Sequence, residues 1–255
     1  MKSPIKWVGG KRTEIKYFEK YIPQFETYVE PFVGGGALFW NLMPEKAIIN
    51  DINEDLINFY NVLATKKHEL LQILNSYVNT REFYSMIVNK LNNGDYKNNI
   101  EQAAIFYYIN KTCFSGKWRV NSSGKFNNTY GSYKNNSFQT IAEDCEKVLE
   151  TTEIYNEDFK IIFDKVQFNK ETFVFLDPPY LDCDAMYTAD QKFDDIYKYI
   201  VYFMNYTNCK VMLVVKSNDY LEKLFNNRIV DRYRINYRHN STSKKMYDHL
   251  IITNY

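Results

Sequence analysis

The sequence predicts an α/β protein in which a parallel sheet is interrupted by a helical insertion. Short apolar runs typical of buried strands occur at residues 27–30, 46–50, 172–176 and 210–215, toward the two ends of the chain. Helical periodicity separates the first two runs, as expected for strands joined by crossover helices. Residues 69–108 instead have helical spacing with asparagine-rich breaks and no clear strand.

The N-terminal elements follow this alternation. Lys11–Tyr21 has helical spacing, and the first strand, residues 27–30, ends at Pro31. A cluster of three glycines, residues 34–36, leads into a helix from Ala37, and the second strand, residues 46–50, is closed by Asp51. Residues 52–63 are again helical in period. Strand, glycine loop, helix and strand are the usual opening of a parallel α/β sheet.

The later elements complete the sheet. Residues 114–138 are rich in Gly, Ser and Asn and too long for an ordinary connection, which favours a functional loop. The apolar run 172–176 predicts a strand buried on both faces, residues 210–215 resemble it, and residues 233–236 and 249–253 suit a closing hairpin or edge pair. We therefore expect residues 1–64 and 150–255 to form one discontinuous domain, and residues 65–149 to form a helical insert with a hairpin loop near 114–138.

Composition narrows the class of protein. The 255 residues are 45% apolar and 25% charged, as is ordinary for a globular protein. The N-terminus leads to no apolar signal region and no run could span a bilayer, so we expect a cytoplasmic protein without membrane contact. The four cysteines are scattered without metal-ligand spacing, which predicts no metal site: Cys113, Cys145, Cys183 and Cys209.

Two segments are locally basic although the net charge is only +1. Residues 107–138 hold five Lys or Arg and no acidic residue, and residues 228–245 hold six against Asp231 alone. Such patches can bind the phosphates of a nucleic acid, or they can be solvated faces without a partner. In the first segment, Arg and Asn side chains suit base edges, and Lys and Ser side chains suit phosphates.

The glycine loop is the first candidate site. Glycines after a first parallel strand allow close approach of a ligand to the backbone, although they also occur in tight structural turns. Asp51 closes the next strand a little under twenty residues beyond, where a carboxylate can hold ribose hydroxyls. The pair favours an adenosine-containing cofactor. A phosphate-binding P-loop is excluded because its motif is missing from the sequence.

The second candidate site is Asp177-Pro178-Pro179-Tyr180, directly after the buried run 172–176. The two prolines lack N–H donors, so an acceptor carboxylate and acceptor carbonyls face the ligand. Those groups suit an amine, and Tyr180 offers a face on which an extruded base could stack. The segment Ile5–Lys11 precedes the first strand, and its Trp7 and Lys11 could cover a sulfonium and a carboxylate.

Together these segments resemble the Dam-type DNA adenine methyltransferases of bacteria and phages. The matching blocks follow the family's order over nearly the whole chain. They are the Lys-Trp-x-Gly-Gly-Lys opening (residues 5–11), the Val-Glu-Pro-Phe-Val-Gly-x-Gly block (29–39), the Asp-Ile-Asn-x-Asp-Leu-Ile run (50–61), the hairpin region (108–133) and the catalytic motif (177–180).

The resemblance implies a Rossmann-like methyltransferase sheet, S-adenosylmethionine as methyl donor, double-stranded DNA as partner and no metal; a monomer is our default. The discontinuous domain would be catalytic and the insert would recognise the target, with GATC as the usual family site. The implied residues are Asp177, Pro178, Pro179 and Tyr180 for catalysis; Trp7, Lys11, Phe32, Gly34, Gly36, Asp51 and Asp177 for the cofactor; and Lys6, Phe114, Ser115, Lys117, Arg119, Asn121 and Thr129 for DNA.

The chain departs from the family pattern within the hairpin. Lys117 stands where an apolar residue is common, and residues 128–132 replace the usual Val-Pro-Phe-Gly-Arg, which leaves the outer base pairs of the target open. Two alternatives also stay open. The first is the same chemistry on cytosine N4, an RNA adenine or a protein amide; the second is a DNA-binding module that has lost catalysis.

Overall fold

A computed structural model describes residues 1–166, 168–179, 191–240 and 243–255. Its centre is a seven-stranded sheet in the order β3-β2-β1-β4-β5-β7-β6. The first five strands in that order are parallel, and β7 and β6 add an antiparallel edge. The strands are β1 (Thr27–Glu30), β2 (Ala47–Asn50), β3 (Thr152–Tyr155), β4 (Thr172–Leu176), β5 (Lys210–Lys216), β6 (Ile229–Asn240) and β7 (Ser243–Thr253).

Helices lie before the first strand and between later ones. Two short 3₁₀ turns, Lys11–Thr13 and Glu19–Tyr21, flank the first α-helix, and two more, Phe114–Gly116 and Ser137–Gln139, lie in the insert. The α-helices are α1 (Ile15–Phe18), α2 (Ala37–Leu42), α3 (Glu54–Thr65), α4 (Lys67–Asn75), α5 (Arg81–Asn93), α6 (Asn99–Thr112), α7 (Asp144–Glu150), α8 (Phe159–Lys165), α9 (Gln191–Tyr206) and α10 (Asp219–Leu224).

Successive residues of the central strands face opposite sides of the sheet and enter two separate apolar cores. On β4, Phe173 and Phe175 join the core that includes the insert helices, whereas Val174 and Leu176 join the core under α8 and α9. This alternation is the period of two expected for a strand, and both faces are covered as in other parallel sheets.

The helical segment that follows α3, called the insert here, packs directly on the sheet. Helix α6 is its centre, and residues 103–110 of that helix are all buried. Phe59 of α3 stacks on Tyr107 of α6 with ring centroids 5.0 Å apart, so aromatic packing joins the two parts of the chain. A tightly packed base of this kind fixes the position of the hairpin that follows α6.

The predicted α/β class with a parallel sheet is confirmed, and the runs 27–30 and 172–176 are strands with the expected bounds. The predicted closing pair is also present, as the longer strands β6 and β7. The helical stretch Lys11–Tyr21 is broken into α1 and two 3₁₀ turns, and it ends before Pro23. The sequence pattern did not define β3, because this strand lies at one side of the sheet, is half-exposed and lacks a continuous apolar run.

None of the described helices is both long enough and apolar enough to span a bilayer.

Candidate functional site

The carboxyl ends of β1, β2, β4 and β5 meet at one edge of the sheet, which is where ligands bind in open α/β proteins. A cleft of about 1420 Å³ opens there, between the sheet and the insert. Its walls include all seven predicted cofactor residues and both prolines of the candidate catalytic strip: Trp7, Lys11, Phe32, Gly34, Gly36, Asp51, Asp177, Pro178 and Pro179.

Lys11 and Asp177 form a buried ion pair at the floor of this cleft. The Lys11 Nζ atom lies 2.6 Å from Asp177 Oδ1 and also donates to the Gly9 carbonyl at 3.2 Å. The Lys11 side chain is 1% exposed, while that of Asp177 keeps 20% exposure. Burial raises the pKa of Asp177, and the neighbouring Lys11 ammonium partly opposes that rise. The structure thus joins two residues that the sequence separates by 166 positions.

The glycine loop after β1 is shaped around Trp7. Gly34 and Gly36 have positive φ angles of 45° and 60°, which other residues adopt only at a cost. A Cβ atom on Gly34 would lie 2.6 Å from the Trp7 Nε1 atom, and one on Gly35 would lie 2.7 Å from the Trp7 Cβ atom. The glycines therefore let the indole lie directly against the loop, at the entrance to the cleft.

Asp51 ties the loop to the end of β2. Its Oδ2 atom accepts the Gly34 N–H at 2.9 Å and its Oδ1 atom accepts the Asn53 N–H at 3.0 Å. Each carboxylate oxygen has a second lone pair that can accept from a ligand. Burial raises the pKa of Asp51, and these backbone N–H groups oppose the rise.

Three cleft residues were missed by the sequence reasoning because β3 had not been delimited. Asn50, at the end of β2, bonds to the Pro31 carbonyl and to both backbone polar groups of Glu157, and so links three strand ends. Asp158 accepts the Lys160 N–H and begins α8. The Phe159 ring lies 5.0 Å from that of Phe32, so two aromatic rings form one wall. The available signal was the polar Asn-Glu-Asp sequence that follows Tyr155.

The strip after β4 is described as far as Pro179. Pro178 is buried, and the Pro179 carbonyl accepts a hydrogen bond of 3.3 Å from the Tyr197 hydroxyl of α9. Tyr180, predicted to stack on a base, lies outside the described residues.

The predicted DNA-contacting residues lie on the hairpin and on the N-terminal segment packed against it. The Lys6 backbone forms two hydrogen bonds with the Asn110 amide, of 2.9 and 2.7 Å, and its Nζ lies 4.0 Å above the Tyr133 ring. Phe114 is 61% exposed although it is large and apolar. Ser115 has a φ of 58°, and its N–H is bound by the Tyr133 hydroxyl at 3.0 Å.

Hydrogen bonds between residues of the hairpin stabilise the rest of it. The exposed Arg119 guanidinium donates to the Asn127 side chain and carbonyl, both at 2.8 Å. The Asn121 Oδ1 atom accepts two backbone N–H groups of the turn, from Ser123 and Lys125. Lys117 is exposed and also lines the cleft, and exposed Thr129 accepts the Phe114 N–H through its carbonyl.

The second basic segment differs because nearby carboxylates neutralise two of its described arginines. Arg232 pairs with Glu222 at 2.7 Å and Arg234 pairs with Asp248 at 2.6 Å. Asp248 lies outside the segment in sequence but opposite Arg234 in the β6–β7 register. The sequence count suggested one acid against six bases, and pairing with one carboxylate on α10 and one on β7 changes that balance for these two residues.

Among the residues that the structure describes, no three His, Cys, Asp or Glu side chains are grouped as they would be around a metal ion.

The sequence signature of the D12 class N6 adenine-specific DNA methyltransferase family matches residues 7–241. The chain is similar to the Type II methyltransferase M.CviBI of Paramecium bursaria Chlorella virus NC1A, with 33% identity over the whole of both chains. It is similar to the Type II methyltransferase M.MjaIII of Methanocaldococcus jannaschii, with 31% identity over 98% of each. The DNA adenine methylase of Vibrio cholerae is 32% identical over 72% of this chain and 68% of its own. On its sequence and its sheet, the chain belongs to the D12 class of N6 adenine-specific DNA methyltransferases.

Proposed function

We propose that this chain transfers a methyl group from S-adenosylmethionine to the N6 amine of an adenine turned out of double-stranded DNA. The observation that supports this most is the Lys11–Asp177 pair of 2.6 Å, at the end of β4 and in the same cleft as the glycine loop. A carboxylate held by a buried cation is a fixed, ionised acceptor. An exocyclic amine needs such an acceptor if its orientation is to be controlled.

The cleft fits the donor by the chemistry of its walls. Asp51 offers lone pairs for ribose hydroxyls, and the rings of Phe32 and Phe159 offer an aromatic wall for a purine. Trp7 and Lys11 also line the cleft, and they would contact the sulfonium and the carboxylate of the donor. S-adenosylmethionine would supply an electrophilic methyl group on a positively charged sulfur.

Asp177 and Pro178 are the proposed partners of the target amine. The Asp177 carboxylate and the Pro178 carbonyl would each accept one N–H, which leaves the nitrogen lone pair directed at the methyl group. Pro178 has no N–H of its own and cannot compete as a donor. Pro179 would keep this strip rigid, and Tyr180 would stack on the flipped adenine.

The hairpin is the proposed reader of the DNA sequence. Residues 1–64 and 150–255 would form the catalytic domain, and residues 65–149 would select the target. GATC is the proposed site because Arg119 and Asn121 occupy the family's positions, while Lys117 and Thr129 mark where an outer base pair could differ. The proposed DNA-facing residues are Lys6, Phe114, Ser115, Lys117, Arg119, Asn121 and Thr129.

Expression in a host that lacks adenine methylation, followed by sequencing that maps N6-methyladenine, tests the proposal. We expect N6-methyladenine at one short motif, GATC or a sequence that shares its central base pairs. Digestion of the same DNA to nucleosides and analysis by mass identifies the product independently. N4-methylcytosine, or unmodified DNA from a well-expressed and folded enzyme, would contradict the proposal.

A further inference from the structure

A buried carboxylate that the proposed chemistry does not use lies behind the Lys11–Asp177 pair. Glu14 is 1% exposed, and its Oε2 atom accepts a hydrogen bond of 2.6 Å from the Tyr233 hydroxyl on β6. The His249 Nε2 atom on β7 lies 3.9 Å from the same oxygen, and His249 is fully buried. A carboxylate is costly to bury, so a site built around one needs a compensating role.

The same residues join the N-terminal segment to the β6–β7 hairpin by stacked rings. The Tyr17 ring lies parallel to that of Tyr233, with centroids 4.9 Å apart and planes at 8°. Tyr233 also stacks on His249, with ring centroids 5.3 Å apart and planes at 15°. Three rings and one carboxylate therefore hold α1 and the turn before it against the antiparallel edge of the sheet.

This attachment lies one turn from the residue that holds Asp177. The Glu14 N–H donates to the Lys11 carbonyl at 2.7 Å, which closes the 3₁₀ turn Lys11–Thr13. The backbone of Lys11 is therefore fixed through Glu14, and its Nζ atom reaches Asp177 from that fixed point. The two carboxylates also interact electrostatically: burial is the main cause of the raised pKa of Asp177, and the Glu14 carboxylate adds to it.

We propose that Glu14 and Tyr233 are positioning residues for methyl transfer: with His249 they anchor the Lys11 turn to the β6–β7 hairpin and so place the Lys11 ammonium on Asp177. The inference rests on the proposed role of Asp177 as acceptor of the target amine. It gives the antiparallel edge of the sheet a part in the chemistry beyond closing the fold.

The test compares two tyrosine-to-phenylalanine variants of the full chain. Tyr233→Phe removes the hydroxyl bound to Glu14 and keeps the stacked ring. Tyr21→Phe is the matched control, because its hydroxyl makes a similar bond of 2.7 Å to Asp231, joining the same N-terminal segment to β6 away from the cleft. We expect kcat to fall about tenfold in Tyr233→Phe, with the KM for DNA and the control variant unchanged within about twofold.

A double-mutant cycle with Lys11→Met separates positioning from general stability. If Tyr233 acts through Lys11, Tyr233→Phe should cost less than about twofold in the Lys11→Met background. Equal losses in both backgrounds, or wild-type kcat in Tyr233→Phe, would overturn the inference. If Tyr233→Phe does not fold, Glu14→Gln takes its place in the same cycle and is judged by the same two outcomes. Asp177→Ala is measured alongside: normal turnover there would refute the role of Asp177 on which this inference rests, whereas wild-type product without N6-methyladenine would refute the proposed function itself, and both outcomes are independent of Tyr233.

Discussion

Two regions of the molecule are organised in different ways. One is the cleft at the carboxyl ends of the parallel strands, called the edge below, and the other is the hairpin that follows α6 in the insert, called the hairpin below. At the edge, the polar groups are buried and bonded to one another, as Lys11 and Asp177 show with 1% and 20% exposure. On the hairpin, Phe114 is 61% exposed, and within the described part of the chain the Arg119 guanidinium bonds to another exposed hairpin residue, Asn127. The difference indicates that the edge is preorganised, and in the proposed function the exposed side chains of the hairpin would find further partners on the DNA.

The two regions also differ in electrostatics. The edge gathers carboxylates, and burial raises the pKa values of both Asp51 and Asp177. The segment 107–138, which includes the hairpin, contains no Asp or Glu, so nothing within it opposes approach to phosphate. In the proposed function, this contrast separates the step that transfers the methyl group from the contacts that choose its site.

Lys11→Met should have a large effect confined to the edge. We expect kcat to fall roughly a hundredfold, because Asp177 loses the group that fixes it. Lys11 lowers the pKa of Asp177, so its removal raises that pKa further. Asp177 is an acceptor only when ionised, and activity is lost as pH falls through its pKa. The acidic limb of the kcat profile should therefore move to higher pH, which a pH series on both enzymes measures.

The exposed Lys16→Met variant is the matched control for that prediction, because Lys16 lies on α1 and not in the cleft. It should keep the wild-type profile. An unchanged acidic limb in Lys11→Met would show that the pair does not govern the chemistry.

Arg119→Ala should affect the hairpin alone. A specific base contact contributes about 1–3 kcal/mol, so kcat/KM for target DNA should fall roughly ten- to a hundredfold. Cofactor affinity and kcat at saturating DNA should stay as in the wild type, which steady-state kinetics and cofactor titration together measure. Asn127→Ala removes the side-chain partner of Arg119 and keeps the guanidinium, so its kcat/KM for target DNA should fall less. If kcat fell with kcat/KM in Arg119→Ala, the two regions would not be separable.

Lys117→Ala should have a smaller effect on DNA binding than Arg119→Ala. Lys117 is exposed on the hairpin and also lines the cleft, so this variant tests where the two regions meet. A phosphate contact predicts weaker binding to all sequences and a salt slope reduced by about one. Binding measured over a salt series on target and non-target DNA distinguishes this from base reading. A change of preferred sequence would instead make Lys117 a determinant of the site.

Arg234→Ala should have the smallest effect. Its guanidinium is paired with Asp248 at 2.6 Å on an exposed surface, and such pairs contribute little to stability. DNA affinity, measured by titration, should stay within about twofold of the wild type because the charge is already neutralised. A tenfold loss would assign the second basic segment to the DNA interface.

Much of the edge could be predicted from the sequence because it is built from local rules. An apolar run followed by Asp177, and glycines followed by Asp51, give the strand ends directly. The parallel topology then brings those ends to one edge, so the site could be inferred before any distance was known. Asn50 and Asp158 were missed because their contacts depend on the half-exposed β3, whose pattern is weak.

The contacts of Glu14 could not have been found from the sequence. Tyr233 and His249 lie 219 and 235 positions away, and only the antiparallel pairing of β6 with β7 places them side by side. The pair of Arg234 follows the same rule, since Asp248 meets this arginine across strands. A count of charges along the sequence does not show which oppositely charged residues lie next to one another on neighbouring strands.

The most direct test of the account is the single-turnover methylation rate of Asp177→Ala at saturating cofactor and DNA, measured with its affinity for the same DNA. Removing one fixed acceptor from the reacting centre costs about a hundred- to a thousandfold in rate, and more where two groups act as a unit. We predict a rate loss of at least that size, with DNA affinity within about threefold of the wild type because the hairpin is untouched. A near-normal rate in the folded variant would contradict the central claim that Asp177 holds the amine that is methylated.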